Sequence, residues 1–464
     1  MVEWSKLSDR EEESPRASIV SLGCAKNLVD SEMMAPQLIR LGFTITEDLE
    51  EAWLLVVNTC GFLESAVEEA IQTILELASR KENGSCGCLV VTGCMVQRYG
   101  RKLLSLLPEV DVFLGTSHTH RLHSALLSWE AERERRLWIG PPRQLFDSSA
   151  PRVRSTPAPS AYIKIADGCD NRCTYCMIPR LRGPYRSRAR EDVVREATML
   201  AAEGVKEVNL IAQDTTAFGL ERGEQDGLVR LVESLEEVDG LRWIRLLYVY
   251  PDRIRESLLS TMAQSAKVVP YLDIPLQHCE PRILGAMGRN CPQSGMEALI
   301  DLIRSHLPHV TLRTSLMVGF PGETESDFGK LVNFLERMMF DHVGVFSFSP
   351  EAGSRAAGMG GQVSGEVKEA RRRVLMEAQM AISRNKLGSL VGRVMPVLVE
   401  GVHPETGLLL RGRLPGQAPE VDGMVMITEG TALVGDIPAA RITAAHDYDV
   451  EARLLGPHEP ADVE

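Results

Sequence analysis

Between Tyr162 and Phe348 six short apolar runs alternate with segments of helical periodicity, and this alternation leaves few folds open. The runs are Tyr162 to Ile165, Glu207 to Ile211, Trp243 to Val249, Val268 to Ile274, Thr311 to Val318 and Val343 to Phe348. Strands separated by helices pair in parallel, because a parallel neighbour needs a long crossover. The pattern therefore predicts a complete or partial TIM-like (β/α) barrel, a fold that carries its chemistry in the loops after its strands. The loop after the first run reads Gly168-Cys169-Asp170-Asn171-Arg172-Cys173-Thr174-Tyr175-Cys176.

C-x3-C-x2-C suits three corners of a cubane 4Fe–4S cluster and leaves one iron open. An open iron can chelate the amino and carboxylate groups of S-adenosylmethionine, and an electron passed through it can release a 5′-deoxyadenosyl radical. The run resembles the radical-SAM motif, including an aromatic, Tyr175, just before the third cysteine. A zinc knuckle is the alternative, but its closed tetrahedral site wants four ligands in pairs. No matching pair follows, and Cys279 is the next cysteine.

A first alternation precedes this one, between Ala17 and Glu134. Apolar runs at Ile19 to Leu22, Leu54 to Val57, Leu89 to Thr92 and Val110 to Leu114, with a short run at Phe43 to Ile45, predict a five-stranded, doubly wound, flavodoxin-like domain. The helices expected between them are Asn27 to Leu41, Ser65 to Ala78, Met95 to Leu107 and His118 to Arg136. Cys24, Cys60 and Cys94 each end a run. In the strand order 2-1-3-4-5 those three strands are neighbours, so three thiols meet at one carboxyl edge, a second set one ligand short. The alternative is that each fills a buried edge as a small hydrophobe.

The stretch from Pro141 to Pro159 is rich in Pro and Ser and marks a linker. After a helical pattern from Gly365 to Leu387, frequent glycines and short alternating runs from Gly392 to Asp449 predict a small antiparallel β-barrel. The expected domains are 17–140, 155–388 and 390–455. A net charge of −13 disfavours a phosphate backbone as the main partner. The charged amino-terminal stretch around Glu11-Glu12-Glu13 is no signal peptide, and no apolar stretch is long enough to span a membrane, so a cytoplasmic protein is expected. Ten cysteines in that reducing compartment point to metal ligation rather than disulfides.

Three further runs carry a closer resemblance. Ser21-Leu22-Gly23-Cys24-Ala25-Lys26-Asn27-Leu28-Val29-Asp30-Ser31-Glu32, Asn58-Thr59-Cys60-Gly61 and Gly93-Cys94-Met95-Val96-Gln97-Arg98 are similar to the amino-terminal domain of the radical-SAM methylthiotransferases. The resemblance runs from about Ser18 to about Ala452. It implies a second 4Fe–4S cluster on Cys24, Cys60 and Cys94, a radical-SAM cluster on Cys169, Cys173 and Cys176, and a carboxy-terminal TRAM barrel that docks the substrate. One branch of the family modifies an adenosine of transfer RNA, and the other an aspartate β-carbon of small-subunit ribosomal protein S-twelve. The chain resembles the second branch at Cys24 to Asn27, Met177-Ile178-Pro179 with Arg182-Gly183, Ile211 to Thr215, Leu272 to His278 and Val343 to Glu351. It departs at Pro159, where histidine is expected, and at Cys86-Gly87-Cys88, an extra pair the resemblance does not explain.

The turn Gly319-Phe320-Pro321-Gly322-Glu323 permits close backbone approach, and by resemblance Gly319, Gly322 and Glu323 contact the adenosine of S-adenosylmethionine. Gln213 and Asp214 are candidates for its methionine amino group, with a helix cap as the other reading of Asp214. Arg313 either pairs with its carboxylate or neutralises an internal acid. Cys279 and Cys291 read as unligated thiols, and His118, His120 and His123 as a solvated face. The favoured function is methylthiolation of an aspartate of ribosomal protein S-twelve, with two 4Fe–4S clusters, S-adenosylmethionine and an electron donor such as flavodoxin or ferredoxin. The other readings are the transfer-RNA branch and an iron–sulfur carrier or scaffold, which would need closed clusters. Between Leu390 and Leu455 there are five basic and nine acidic residues and no lysine, which favours a basic protein over transfer RNA as partner.

Overall fold

A computed structural model describes residues 14–84, 86–149, 152–155, 159–289 and 295–456, so Cys291 lies outside the described residues. Three six-stranded sheets organise the chain. The first holds β1 (Arg16–Ser21), β2 (Thr44–Ile45), β3 (Leu54–Thr59), β4 (Cys88–Gly93), β5 (Val112–Gly115) and β6 (Arg136–Trp138) in the order β2-β1-β3-β4-β5-β6, all parallel. Every residue of β3 and β4 is buried, because helices cover both faces. Leu55, Val57, Leu89 and Val91 pack one way and Leu54, Val56 and Val90 the other, as a period of two requires.

Two local expectations fail here. The helix after β5 stops at Glu132, where Arg133 adopts φ 53, and Arg136–Trp138 then forms a sixth strand instead of continuing the helix. The helix expected from Met95 to Leu107 is two short ones, Cys94–Tyr99 and Lys102–Leu106, broken at Gly100 with φ 53.

The second sheet places β7 (Ser160–Lys164), β10 (Glu207–Ile211), β11 (Trp243–Leu246), β12 (Val268–Asp273), β13 (Thr311–Val318) and β14 (His342–Ser347) side by side in chain order, all parallel. It is a partial barrel, since among the described residues β7 and β14 do not pair. The outward residues of its strands and the surrounding helices form one large core. A short pair, β8 (Ala166–Asp167) and β9 (Arg186–Ser187), is antiparallel and brackets the cysteine loop, pinning both of its ends.

The last sheet holds β15 (Val394–Pro396), β16 (Leu398–Val402), β17 (Leu410–Arg413), β18 (Val425–Glu429), β19 (Ala439–Ala445) and β20 (Val450–Leu454) in the order β15-β19-β20-β18-β17-β16. Its two edge strands are halves of one continuous segment, so the sheet curls into a small barrel around Val397, Val399, Val425 and Ile442. It is not purely antiparallel, because β18 and β20 pair in parallel.

This barrel plugs the amino-terminal mouth of the larger one. Arg413 forms a buried ion pair with Glu207, which also binds Arg245 at 2.8 Å. Asp422 accepts from Tyr271 at 2.7 Å and from Arg313 at 2.5 Å. The first domain meets the opposite, carboxy-terminal side: Lys26 of the helix Ala25–Ile39 lies over the ring of Tyr248, which follows β11, and Asn27 accepts from Arg182 after the cysteine loop. Val29 and Met33 share one buried cluster with Ile211, Trp243 and Tyr271. The linker is anchored too, by Arg152 donating at 2.7 Å to both Glu32 and Glu196. No helix among the described residues is long and apolar enough to cross a membrane.

Candidate functional site

Cys24, Cys60 and Cys94 follow β1, β3 and β4, which are adjacent in the sheet, and the three thiols are close enough to influence one another's ionisation. Glycine makes this approach possible. A side chain on Gly23, which has φ 94, would meet Cβ of Cys60 at 2.8 Å, and one on Gly93, with φ 102, would meet the Thr59 carbonyl oxygen at 2.5 Å. Cys24 is exposed, Cys60 half-buried and Cys94 buried. Burial pushes the Cys94 thiol up to about 12 and raises that of Cys60.

Cys169, Cys173 and Cys176 line a cavity of about 730 Å³ between the loop and residues Gly353 to Arg355. Burial pushes Cys169 up to about 11 and Cys176 to about 12. A smaller chamber of about 220 Å³ beside Cys169 is lined by Asn171, Asp214, Glu221 and Arg253. Asp214 lies at its wall, accepting from Asn171 at 2.9 Å, Arg253 at 2.6 Å and Thr216 at 2.6 Å, so it ties the cysteine loop to the end of β10. Gln213 donates to Asp167 at 2.8 Å, while its Oε1 is buried and unpaired. Tyr175 lies against Arg289, whose Nη1 is 3.3 Å from the phenol oxygen and 3.9 Å from the Cys173 sulfur.

The two cysteine sets face each other. The short helix Ile178–Arg182 leaves the cysteine loop, and its Leu181, with Met177, packs on Cys94. Arg182 is buried between the sets, donating to Asn27 Oδ1 at 2.6 Å and pairing with Asp30 at 3.0 Å and Asp167 at 3.1 Å. Its charge reaches the Cys94 thiol, whose sulfur lies 3.9 Å from the same Asn27 Oδ1. Burial opposes the charge of Arg182, but Asp167, Cys94 and Asp30 hold its affinity for the proton well above the usual range. Burial likewise pulls Lys26 down to about 8 against the charges of Cys24 and Asp273.

These features fit iron–sulfur ligation. A nearby cation stabilises a thiolate on a cluster and does nothing for a neutral thiol, and Arg289, 3.9 Å from the Cys173 sulfur, and Arg182, whose charge reaches Cys94, stand where they would do so. Among the described residues, no three His, Cys, Asp or Glu side chains converge on the point a single metal ion would occupy.

Other candidates lie elsewhere. Arg313 takes the second of its two readings: it is 3.7 Å from Asp273 and 2.5 Å from Asp422, so internal acids occupy it. The Glu323 carboxylate accepts from the Gly319 backbone at 2.9 Å and from Arg371 at 2.7 Å, and Gly322 donates to the Gly361 carbonyl at 2.8 Å. That turn is thus clasped by the chain around the helix Gly365–Gly388 and lines neither cavity beside the cysteines. Cys86 and Cys88 are buried at the start of β4, the end of the strand opposite Cys94, and fill two cores. Cys279 is half-buried and pushed up to about 12 by burial. His118 donates to or accepts from Ser117 at 2.7 Å and stacks on His120. Lys26, Asp167, Arg182, Arg253 and Arg289 carry no spacing signal of their own, since their partners are distant in sequence.

Residues 16–115 match the family described as Uncharacterized protein family UPF0004, 163–335 the Radical SAM superfamily and 391–455 the TRAM domain. A ribosomal protein uS12 methylthiotransferase RimO from Syntrophobacter fumaroxidans is 61% identical over 95% of this chain and 99% of its own length. One of the same name from Pelobacter propionicus is 47% identical over 94% and 97%. Among solved structures, the radical S-adenosylmethionine methyltransferase TsrM from Kitasatospora setae shares the fold, with a TM-score of 0.54 over 72% of this chain and 73% of its own, at 17% identity. Similarity of this extent, end to end across all three sheets, shows that the chain belongs to the RimO family of radical-SAM methylthiotransferases.

Proposed function

We propose that Cys169, Cys173 and Cys176 hold one 4Fe–4S cluster and Cys24, Cys60 and Cys94 the other, with the substrate residue entering between them. The enzyme is a radical-SAM methylthiotransferase that places a methylthio group on the β-carbon of an aspartate of ribosomal protein uS12, using two 4Fe–4S clusters and S-adenosylmethionine. When bound, these groups supply the electron, the hydrogen-abstracting radical and the transferred sulfur and methyl, none of which a side chain provides. The observation that carries the residue assignment is the facing of the two cysteine sets across Met177, Leu181 and Arg182.

The chain's own residues orient and enclose. Asp214, Asn171 and Arg253 hold the first cysteine loop against β10, and Arg289 braces Tyr175 and Cys173. Gln213 presents its unpaired Oε1, and Asp214 its carboxylate at the chamber wall, as groups to receive the methionine amino group, and Tyr175 belongs to the same reading from its place against Arg289 in the cysteine loop. The Gly319, Gly322 and Glu323 turn belongs to the same reading as the adenosine contact, with Glu323 holding the turn's shape. The division into 17–140, 155–388 and 390–455 is part of it, each range holding one six-stranded sheet apart from Arg16.

The TRAM barrel docks uS12 rather than transfer RNA in this reading. Exposed Glu405, Glu420, Glu429 and Asp436 support it, although Asp422 and Glu400 are already paired with Arg313 and Arg413. The reaction belongs to the cytoplasm, with flavodoxin or ferredoxin as electron donor. Reconstituted enzyme incubated with S-adenosylmethionine, a reductant and isolated small ribosomal subunits tests it. Mass spectrometry should find uS12 heavier by one methylthio group less one hydrogen, on an aspartate. Unchanged uS12 alongside modified transfer RNA would overturn it.

A further inference from the structure

Four buried cations stand around the cysteine sets, and three have partners that hold them. Lys164 pairs with Asp30, Arg182 with Asp30 and Asp167, and Arg289 donates to the Pro275 carbonyl at 2.5 Å and to Tyr175. Lys26 differs. It is 6% exposed, yet among the described residues its ammonium makes no hydrogen bond and no ion pair. Its contact is the face of Tyr248, with Nζ 2.9 Å from the ring centroid.

Of the groups whose charge reaches Lys26, the Cys24 thiol is itself one of the proposed cluster ligands, and the two carboxylates are committed elsewhere. Asp167 is bound by Arg182, Gln213 and the Gly168 backbone, and Asp273 by the Tyr248 backbone at 3.1 Å with Arg313 at 3.7 Å. An aromatic face is a weak substitute for a carboxylate, and a buried ammonium without a counter-ion is costly. Lys26 also has a defined direction. It lies two residues after Cys24 on the helix that caps the barrel mouth, and Tyr248, which follows β11 with φ 60, brings its ring under the ammonium from the barrel side. Arg182 is the cation whose charge reaches Cys94, whereas Lys26, whose ammonium touches the Tyr248 ring, stands between the helix after Cys24 and the barrel.

We propose that Lys26 is the specificity-determining residue that holds the side-chain carboxylate of the substrate aspartate, leaving the Tyr248 ring to do so. The inference rests on the reading of an aspartate substrate given above. A carboxylate beside Lys26 gives the ammonium a hydrogen-bonded counter-ion, and the β-carbon is then held one bond from that anchor. A neutral side chain of the same size, such as asparagine, would leave the ammonium unpaired.

The test uses the reconstituted full-length enzyme and two peptides of uS12 spanning the modified residue, one with the native aspartate and one with asparagine there. Wild-type enzyme should bind the aspartate peptide roughly 30-fold or more tightly than the asparagine peptide, the range expected for truncating one member of a buried charge pair. Lys26→Gln should weaken the aspartate peptide by a similar factor, leave the asparagine peptide within about threefold, and so erase the preference; Lys26→Arg should restore part of it. Iron content and the electron paramagnetic resonance spectrum should match the wild type in both variants. A preference that survives in Lys26→Gln overturns the proposal. Iron lost in Lys26→Gln and Lys26→Arg alike also overturns it, by assigning Lys26 to the cluster. Wild-type enzyme that modifies no aspartate of whole uS12 overturns instead the functional reading beneath it.

Discussion

Arg182 Nη2 donates to Asn27 Oδ1 across 2.6 Å, and this bond joins the two cysteine loops. Asn27 opens the helix that follows Cys24 and also donates to the Leu22 and Thr59 carbonyls at 3.0 and 3.1 Å, so it gathers two of the three strand ends. Arg182 closes the short helix that follows Cys176. One side chain from each loop therefore sets the spacing between the sets. Arg182→Met would leave Asp30 and Asp167 without their guanidinium, and we expect a loss of roughly 3–5 kcal/mol in unfolding free energy. Denaturant melts of the apo-protein measure it; a change below about 1 kcal/mol would refute it.

The two cysteine sets should separate by function. Changing Cys169, Cys173 and Cys176 together to Ala is expected to remove about half the iron and abolish 5′-deoxyadenosine formation, by the ligand count of such clusters. Changing Cys24, Cys60 and Cys94 should spare that cleavage and abolish methylthio transfer. Iron assay with chromatography of the nucleoside products checks both, and transfer retained in the second variant would make that set structural.

Cys86 and Cys88 should behave as core residues. Cys86→Ala and Cys88→Ala are expected to keep full iron content and lose about 1 kcal/mol of stability each, since each removes one buried atom from a packed interface. Iron lost from either variant would mean a ligand role.

Acid should loosen the plug between the two barrels. Burial raises the Glu207 carboxyl, but the charges of Arg413 and Arg245 outweigh it and hold the group at about 2. A carboxyl depressed in the folded state stabilises the protein above its unfolded value, about 4.3, and that contribution is lost as pH falls toward 2. Glu207→Gln should be less stable at pH 7, and its melting temperature should fall less than the wild type's between pH 5 and 3. Parallel melting curves of the two proteins would place Glu207 outside the linkage.

Binding of uS12 by the full chain should weaken with salt. Four exposed acids on the TRAM barrel attract a basic protein only through water, where ions screen them. Affinity measured at rising ionic strength checks this, and a flat response would move the docking surface elsewhere.

Spacing and periodicity determined much of this protein directly. C-x3-C-x2-C is a local signal, because three thiols within eight residues need little of the fold to reach one cavity, and β10 and β13 appear at the expected bounds because apolar runs between helical segments are local too. Cys24, Cys60 and Cys94 were also legible, since each ends a strand and the strand order makes them neighbours. Only the tertiary structure decided the rest. It spent Arg313 on Asp422 and Asp273, buried Cys86 and Cys88 away from Cys94, turned Arg136–Trp138 into a strand, and set Arg182 between the cysteine sets. Charge pairing inside a protein depends on which side chains share a low-dielectric space, and residues 109 or 155 positions apart carry no mark in the sequence that they do so.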